Sequence, residues 1–363
     1  MKKVLLSIAT LVLANIAFAQ TPITITAGDV PVSGDTLRYS TVLGLTSGIN
    51  VNDSGTNKAW VYDTLKPLAQ TVDNYQSATA VNFTYGLTIS ATAYGYKIAD
   101  SIPGLGSLMP GLTIKNVYTF FNKRTTPGRF VAEAFAALIG GAPIPANYSD
   151  EDEIYFFPLT YPHATDSSTF AVNVSIPTLG SLKRAGYRKT WVDGWGTIKT
   201  PYYTTAVRCI RVRSEIHEVD TIHITTPITF NYPIVMDTVE YKWLVNGDHY
   251  PALWVTQSKH TAQLTSVTYR DSIRHGLVNV SNTPKLTIQE IKAYPNPITN
   301  GLVTIDVPAG WNNFTVYVYD AVSRMITTFA NKNELNIAAL APGKYYLLVK
   351  SGDNIGYTQV IKQ

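Results

Sequence analysis

The sequence is poor in cysteine and in charge, and both shortages narrow the class of protein. Cys209 is the only cysteine among 363 residues, so the chain has no intramolecular disulfide framework. Charged side chains make up 15% of the residues, and the formal net charge is +4. The Lys and Arg residues form no dense cluster, which argues against a nucleic-acid-binding protein.

Recognisable catalytic motifs are also missing. The sequence contains no G-x-S-x-G elbow, no P-loop and no dinucleotide-binding fingerprint. His217 and His223 are separated by roughly 20 Å if they share a strand, which is too far for one metal ion. We therefore predict no catalytic residue and no resident metal or cofactor, with calcium as the one candidate ion. A hydrolase stays open, because two glycosidase carboxylates need only to be close in space.

Long apolar runs are confined to the N-terminus. Lys2 and Lys3 precede an uncharged, mostly apolar stretch at residues 4–18, which ends in small residues. This pattern predicts a secretory signal peptide over residues 1–19, cleaved between Ala19 and Gln20. The run is shorter than the roughly 20 apolar residues that span a bilayer, so we expect no transmembrane segment. The mature chain is expected to be exported.

The rest of the chain has the composition and punctuation of β-strands. It is rich in Thr and Val and has 23 tyrosines, and runs of alternating apolar and polar residues recur between Gly, Pro, Asn and Asp. These features predict an all-β protein, with a larger antiparallel sandwich or jelly-roll-like cargo region over residues 20–284. Residues 128–141 fit either a helix or a strand. A linker near residues 280–285 leads into a smaller sandwich.

The sequence AYPNPITNG begins this C-terminal part. Two prolines fix φ and lack backbone donors, so the turn reads as an extended, unpaired lead into the next strands. With the motifs that follow it, the region over residues 291–363 resembles the type A C-terminal sorting domain of the type IX secretion system of Bacteroidota, so residues 285–363 comprise a linker and this domain. The residues that carry the resemblance are Tyr294, Pro295, Asn296, Pro297, Gly301, Asp320 and Gly343.

The resemblance implies a fold, a route and partners. It implies a small Ig-like sandwich that an outer-membrane translocon reads and a sortase-like protease removes. The cargo is then released or attached to surface lipopolysaccharide, after passage through the periplasm. The cargo region is itself similar to an uncharacterised module found before such tails, and this similarity names no activity.

Two places in the cargo region are candidates for ligand contact. Trp191 and Trp195 flank Asp193 and Gly194, so they form either an aromatic platform for sugar rings or core packing beside a hairpin or bulge. The run S-D-E-D-E supplies Asp150 and Asp152 as calcium ligands, or else it is a solvated loop.

One triplet recurs five times: Asp, then Ser or Thr, then an aliphatic residue. It resembles the O-glycosylation sequence of Bacteroidota, whose machinery acts on exported proteins. The same triplet also suits a turn that ends in Asp before a strand begins, and both descriptions can hold. The candidate hydroxyls are those of Thr36, Thr64, Thr221, Thr238 and Ser272.

These observations lead to one expectation for function and one alternative. We expect a secreted or cell-surface protein without enzymatic activity, with adhesion or glycan binding as its role. The alternative is an extracellular hydrolase that acts on polysaccharide or peptide.

Overall fold

The computed structural model describes residues 21–42, 48–101, 113–176, 180–225, 230–274, 278–279, 287–320, 325–351 and 354–363. The signal peptide with its cleavage site at Ala19 and Gln20, and the boundary between residues 284 and 285, lie outside the described residues. Within those residues, no helix has the length and apolar character needed to cross a membrane.

The cargo region is built almost entirely from strands. The two helices among its described residues are short, α1 (Ala78–Val81) and α2 (Phe83–Thr88). Its strands are β1 (Thr36–Val42), β2 (Gly55–Val61), β3 (Pro67–Asn74), β4 (Gln76–Ser77), β5 (Tyr94–Ser101), β6 (Ile114–Thr125), β7 (Gly128–Ile139), β8 (Ala142–Phe156), β9 (Asp166–Ile176), β10 (Gly180–Lys199), β11 (Val207–Ile224), β12 (Phe230–Leu244), β13 (Leu253–Ser258), β14 (Leu264–Arg270) and β15 (Val278–Asn279).

These strands form one sheet that nearly closes on itself. The order is β15-β3-β1-β14-β13-β12-β11-β10-β9-β8-β7-β6-β5-β4, with β2 added beside β10. Only Tyr75 separates β3 from β4, so the two ends of this path meet at one stretch of chain. Neighbours are antiparallel, except that β2 pairs with β10 and β15 with β3 in parallel. The cargo is therefore a single curled sheet, and its curvature gives it an interior.

Strand β7 settles the ambiguity at residues 128–141. It is a strand whose side chains are mostly buried on both faces. The small side chains of Ala134 and Ala136 lie against Tyr85 of helix α2 and Phe120 of β6. Because alanine leaves room for the two short helices to cover the outer face, an alanine-rich run serves here as a strand.

The longest hairpin joins β10 and β11. A bulge between Val192 and Gly194 bends β10, so the bulge predicted at this position is confirmed and a hairpin is not formed there. A Cβ on Gly196 would lie 1.9 Å from the carbonyl oxygen of Lys58, which shows how closely β2 approaches. Strand β11 is continuous from Val207 to Ile224 and includes both Cys209 and Asp220.

The C-terminal part forms a small sandwich, as predicted. One sheet has the order β16-β23-β22-β19-β20 and the other β17-β18-β21, and their inner faces share one core. The strands are β16 (Thr287–Glu290), β17 (Ala293–Tyr294), β18 (Leu302–Ile305), β19 (Thr315–Asp320), β20 (Met325–Ala330), β21 (Glu334–Asn336), β22 (Gly343–Ser351) and β23 (Asn354–Lys362). The prediction of an all-β protein is thus confirmed.

The sandwich also contacts the cargo. Tyr319 and Leu348 lie on its five-stranded sheet and form an apolar cluster with Val117, Ile139 and Ile176 of the cargo. Experiments on the cargo are therefore best made with the tail present.

Candidate binding cavity

The curled sheet lines a half-open cavity of about 310 Å³. Strands β3, β5 to β8 and β10 to β13 supply its wall, together with short segments around Val30 and Tyr250. Part of the wall is apolar or aromatic, as is usual for small-molecule sites. The other part is charged, and its side chains are Asp29, Asp73, Asp152, Arg184, Arg188, Glu218, Glu240 and Lys242.

A buried chain of charges crosses one side of the cavity. Arg188 donates to both carboxylate oxygens of Asp152, at 2.7 and 2.8 Å, and to Glu240 at 3.1 Å. Lys242 donates to the same Glu240 at 2.9 Å, and its ammonium lies 4.2 Å from the ring centroid of Trp254. Burial acts to raise the pKa of Glu240, but the charges of Lys242 and Arg188 outweigh it and hold that pKa below its usual value.

A second buried group lies farther along the same strands. Arg184 donates to both oxygens of Asp220 at 2.8 Å and lies 3.2 Å from Glu218. Burial raises the pKa of Glu218 to about 7, although Arg184 draws it in the opposite direction. Both oxygens of the Asp220 carboxylate are paired with Arg184. Glu218 has only a longer contact with the same arginine.

Asp73 differs from the other carboxylates of the cavity. It is 4% exposed, and in the described part of the chain no Lys, Arg or His forms an ion pair with it. Its stabilising contact is a hydrogen bond from Tyr39. Burial raises the pKa of Asp73 to about 7, because the charged form is poorly solvated there.

Aromatic rings surround Asp73 on neighbouring elements. The rings of Tyr75 and Tyr96 are 4.9 Å apart, and those of Tyr39 and Tyr250 stack at 4.8 Å. Each of these rings is buried or partly buried in the same apolar cluster. The charge of Asp73 acts on Tyr75, Tyr96 and Tyr250, and with burial as the main cause it helps hold their pKa values well above the usual 10.

The tryptophan pair does not form one exposed surface. Trp195 is 9% exposed and packs in the core with Val192 and Ile210. Trp191 is partly buried, and the guanidinium of Arg213 lies 4.9 Å from its ring centroid. Core packing thus accounts for Trp195, and Trp191 is in contact with Arg213.

The acidic run is part of strand β8 and is not a solvated loop. Asp152 faces Arg188 inside the sheet, whereas Asp150 is exposed and accepts a hydrogen bond from Thr169 at 2.6 Å. Within the described ranges, no three His, Cys, Asp or Glu side chains are grouped so as to hold a metal ion. The structure therefore does not bring the two calcium candidates together into a site.

The five candidate hydroxyls fall into two groups. Thr36, Thr64 and Ser272 are exposed, at or just outside the ends of strands. Thr221 and Thr238 are only partly exposed and lie within β11 and β12. The description of the triplet as a turn before a strand fits Thr36, which begins β1, but not these two threonines or Ser272, which follows β14. The aspartates before Thr221 and Thr238 are engaged by other side chains, Asp220 by Arg184 and Asp237 by His217.

The Y-P-N-P turn is attached to the last strand through its asparagine. Asn296 donates to the carbonyl of Gln359 and accepts from the N–H of Ile361, both at 2.9 Å. Pro295 and Pro297 have no backbone N–H to donate. The side-chain amide of Asn296 therefore supplies a donor and an acceptor for pairing with β23. Ile298 then continues the pairing with β23 through backbone bonds of 2.7 and 2.9 Å. The turn expected to be unpaired is therefore paired.

The other motif residues have structural positions of their own. Tyr294 is half exposed and donates to Asp306 at 3.0 Å. Gly301 has φ +76, and a Cβ there would lie 2.5 Å from Ala338, so only glycine fits. Asp320 ends β19 and Gly343 begins β22.

Comparison with known proteins identifies this tail. Residues 292–363 match the secretion system C-terminal sorting domain. No curated protein matches the chain, and no solved structure matches it. The tail is thus a type IX secretion sorting domain, and the chain is a cargo of that system, destined for the cell surface or the medium. It interacts with the type IX machinery, and the cargo region stays unassigned.

Proposed function

We propose that the cargo region is a non-enzymatic binding protein of the cell exterior, which takes a small extracellular ligand into its interior cavity. The observation that carries this proposal is the cavity itself. Its volume of about 310 Å³ lies at the lower end of the range of small-molecule sites, roughly 300–1,000 Å³. Glycan contact, expected from the sequence, would then take place in this cavity instead of on an exposed tryptophan surface.

The pairing of the charges favours binding over turnover. Asp152 is held by Arg188, Asp220 by Arg184, and Glu240 by Lys242 as well as Arg188. A carboxylate that is held by a cation at neutral pH is a poor proton donor. The wall therefore presents fixed charges and tyrosine hydroxyls, which orient a bound molecule.

One observation favours the alternative, an extracellular hydrolase. Glu218 has a pKa raised to about 7, whereas the pKa of Glu240 in the same cavity is lowered. Two carboxyl groups with pKa values driven apart are the arrangement that glycosidases use for acid and base. Under this alternative, Glu218 is the proton donor.

A direct experiment separates the two functions. The protein without its signal peptide, residues 20–363 with the tail present, is tested on a glycan array, by native mass spectrometry for a co-purified small molecule, and against a broad panel of polysaccharide and peptide substrates. Saturable binding without turnover supports the proposal, and turnover of any substrate overturns it.

The control for location is a variant that fills the cavity. Ala132 lines the cavity, so Ala132→Phe should abolish binding in a protein that still unfolds cooperatively. Binding that survives in a folded Ala132→Phe protein would place the site elsewhere and contradict the proposal.

We further propose how the tail is processed. A sortase-like protease removes residues after the cargo, and the cargo is released or joined to surface lipopolysaccharide. The support for this step is the sorting domain at residues 292–363, whose last strand is fastened to its first turn as one compact unit. Adhesion is the role that surface attachment would favour.

A further inference from the structure

We propose that the cavity selects an organic cation, with Asp73 as its counter-ion and tyrosine rings as the surrounding cage. This inference rests on the proposed binding function and names the chemical class of its ligand. A primary or quaternary ammonium group with a small apolar body fits both parts of the site.

The side chains that line the cavity include more carboxylates than permanent cations. The carboxylates that line the cavity are Asp29, Asp73, Asp152, Glu218 and Glu240, and the permanent cations are Arg184, Arg188 and Lys242. These cations are already engaged by carboxylates, including Asp220 behind the wall. The cavity thus has negative charge in excess, and an anionic ligand would find no free cation among the described residues.

Asp73 is the carboxylate of the cavity that is best placed to pair with a ligand cation. Asp73 is the lining carboxylate that is both nearly fully buried and without a cationic partner in the described structure. Burying an isolated carboxylate is costly unless a partner compensates its charge. Tyr39 supplies one hydrogen bond but no charge. A ligand cation would supply what the protein leaves out.

Tyr75, Tyr96 and Tyr250 line the cavity near Asp73, on β5 and on the segments that follow β3 and β12. Aromatic faces around an ammonium group attract it through their quadrupoles, and this attraction is strongest where water is displaced. The site already shows this preference once, because Lys242 lies over the ring of Trp254.

The test uses the protein without its signal peptide, residues 20–363, and two probes of nearly the same shape. Choline carries the positive charge, and 3,3-dimethyl-1-butanol is its neutral counterpart; binding of each is measured by isothermal titration calorimetry. We expect choline to bind and the neutral alcohol to bind more weakly or not at all.

Variants assign the effect to its parts. Asp73→Asn keeps the shape and the bond with Tyr39, and should weaken choline binding roughly 10- to 100-fold. Asp63→Asn, at an exposed aspartate that does not line the cavity, is the matched control. Tyr96→Leu should weaken binding roughly 5- to 30-fold, whereas Tyr96→Phe keeps the ring and should restore most of it.

The pH profile provides a readout that a merely structural role would not change. The affinity for choline should rise with pH around pH 7, because the pKa of Asp73 is raised to about 7 by burial. The groups that face Asp73 are Tyr39, Tyr75, Tyr96, Tyr250 and, farther away, Glu240. In Asp73→Asn most of this rise should disappear, and only the weaker effect of Glu218, whose pKa is also about 7, should be left.

The outcomes separate this inference from the proposed function. If the neutral alcohol or a sugar binds and choline does not, the cation is wrong while the binding function stands. If substrates are turned over, the proposed function is wrong as well. Equal binding of choline by Asp73→Asn, or a pH profile that persists undiminished in that variant, would overturn the assignment to Asp73.

Discussion

Removing Arg188 should destabilise the cargo strongly and in a pH-dependent manner. In Arg188→Met the apolar stem is kept and the guanidinium is lost, so Asp152 is left buried without its bidentate partner. Glu240 keeps Lys242 at 2.9 Å and is therefore only partly affected. The variant thus isolates the effect of one uncompensated buried carboxylate.

The cavity contains its own reference for the size of this effect. Asp73 is a buried carboxylate without a cation, and burial raises its pKa from 3.8 to about 7. A change of this size corresponds to about 4 kcal/mol at pH 7, since each pKa unit is worth about 1.4 kcal/mol. The same magnitude, about 3–5 kcal/mol, is typical when one partner of a buried ion pair is removed.

The sign of the pH dependence follows from linkage. A buried carboxyl whose folded-state pKa is raised destabilises the protein above its unfolded pKa, and the penalty disappears as pH falls and the group takes up a proton. The difference in unfolding free energy between Arg188→Met and the wild type should therefore be largest at about pH 7 and should shrink toward about pH 4.

Urea denaturation at several pH values measures this difference. The control is the double variant Arg188→Met with Asp152→Leu, in which no charge is left unpaired and most of the stability should return. A loss below about 1 kcal/mol at pH 7, or a loss that does not shrink on acidification, would refute the reasoning.

Three further predictions concern export and modification. Deletion of residues 291–363 should leave the cargo in the periplasm of the native host, and normal appearance outside the cell, judged by cell fractionation, would show that the tail is not required. Intact-mass measurement of secreted material should give a chain that begins at Gln20 and lacks the terminal sandwich; a mass that includes Gln363 would mean that the tail is retained. Glycopeptide mass spectrometry should find glycan on some of the triplet hydroxyls in host-secreted protein and on none after cytoplasmic expression. Exposed positions should be modified before partly buried ones. If all the peptides have unmodified masses, the triplets form turns and are not glycosylation sites. The triplet hydroxyls are those of Thr36, Thr64, Thr221, Thr238 and Ser272.

The tail could be predicted from the sequence because its signals are local. Two prolines around Asn296 and a glycine at 301 fix the backbone over a few residues, and the short strands follow at regular spacing. What the sequence did not indicate is the pairing of Asn296 with the last strand, since that bond joins residues more than sixty positions apart.

The cavity could not be predicted because it depends on how distant strands meet. In β12, Glu240 and Lys242 alternate with Tyr241 and Trp243, a pattern that predicts a strand with one solvent-exposed and one buried face. All four are buried, because the aromatic pair packs outward under β2 and the charged pair faces the interior. Alternation of charged and large aromatic residues was the available signal, but it does not show that the sheet closes.

The charged wall is hard to explain by stability alone. Apolar residues of similar volume often replace a buried ion pair at no cost, and several of the few charged residues of this chain are buried. A core of Leu and Phe would also have filled the cavity. Such a core would contain no buried carboxylate that loses its partner, as Asp152 does in the Arg188→Met variant. A chain that keeps Arg188, Glu240 and Lys242 inside, and leaves Asp73 without a cationic partner among the described residues, has an interior suited to a charged ligand. Such an interior favours binding as the function of the cargo that the sorting tail exports.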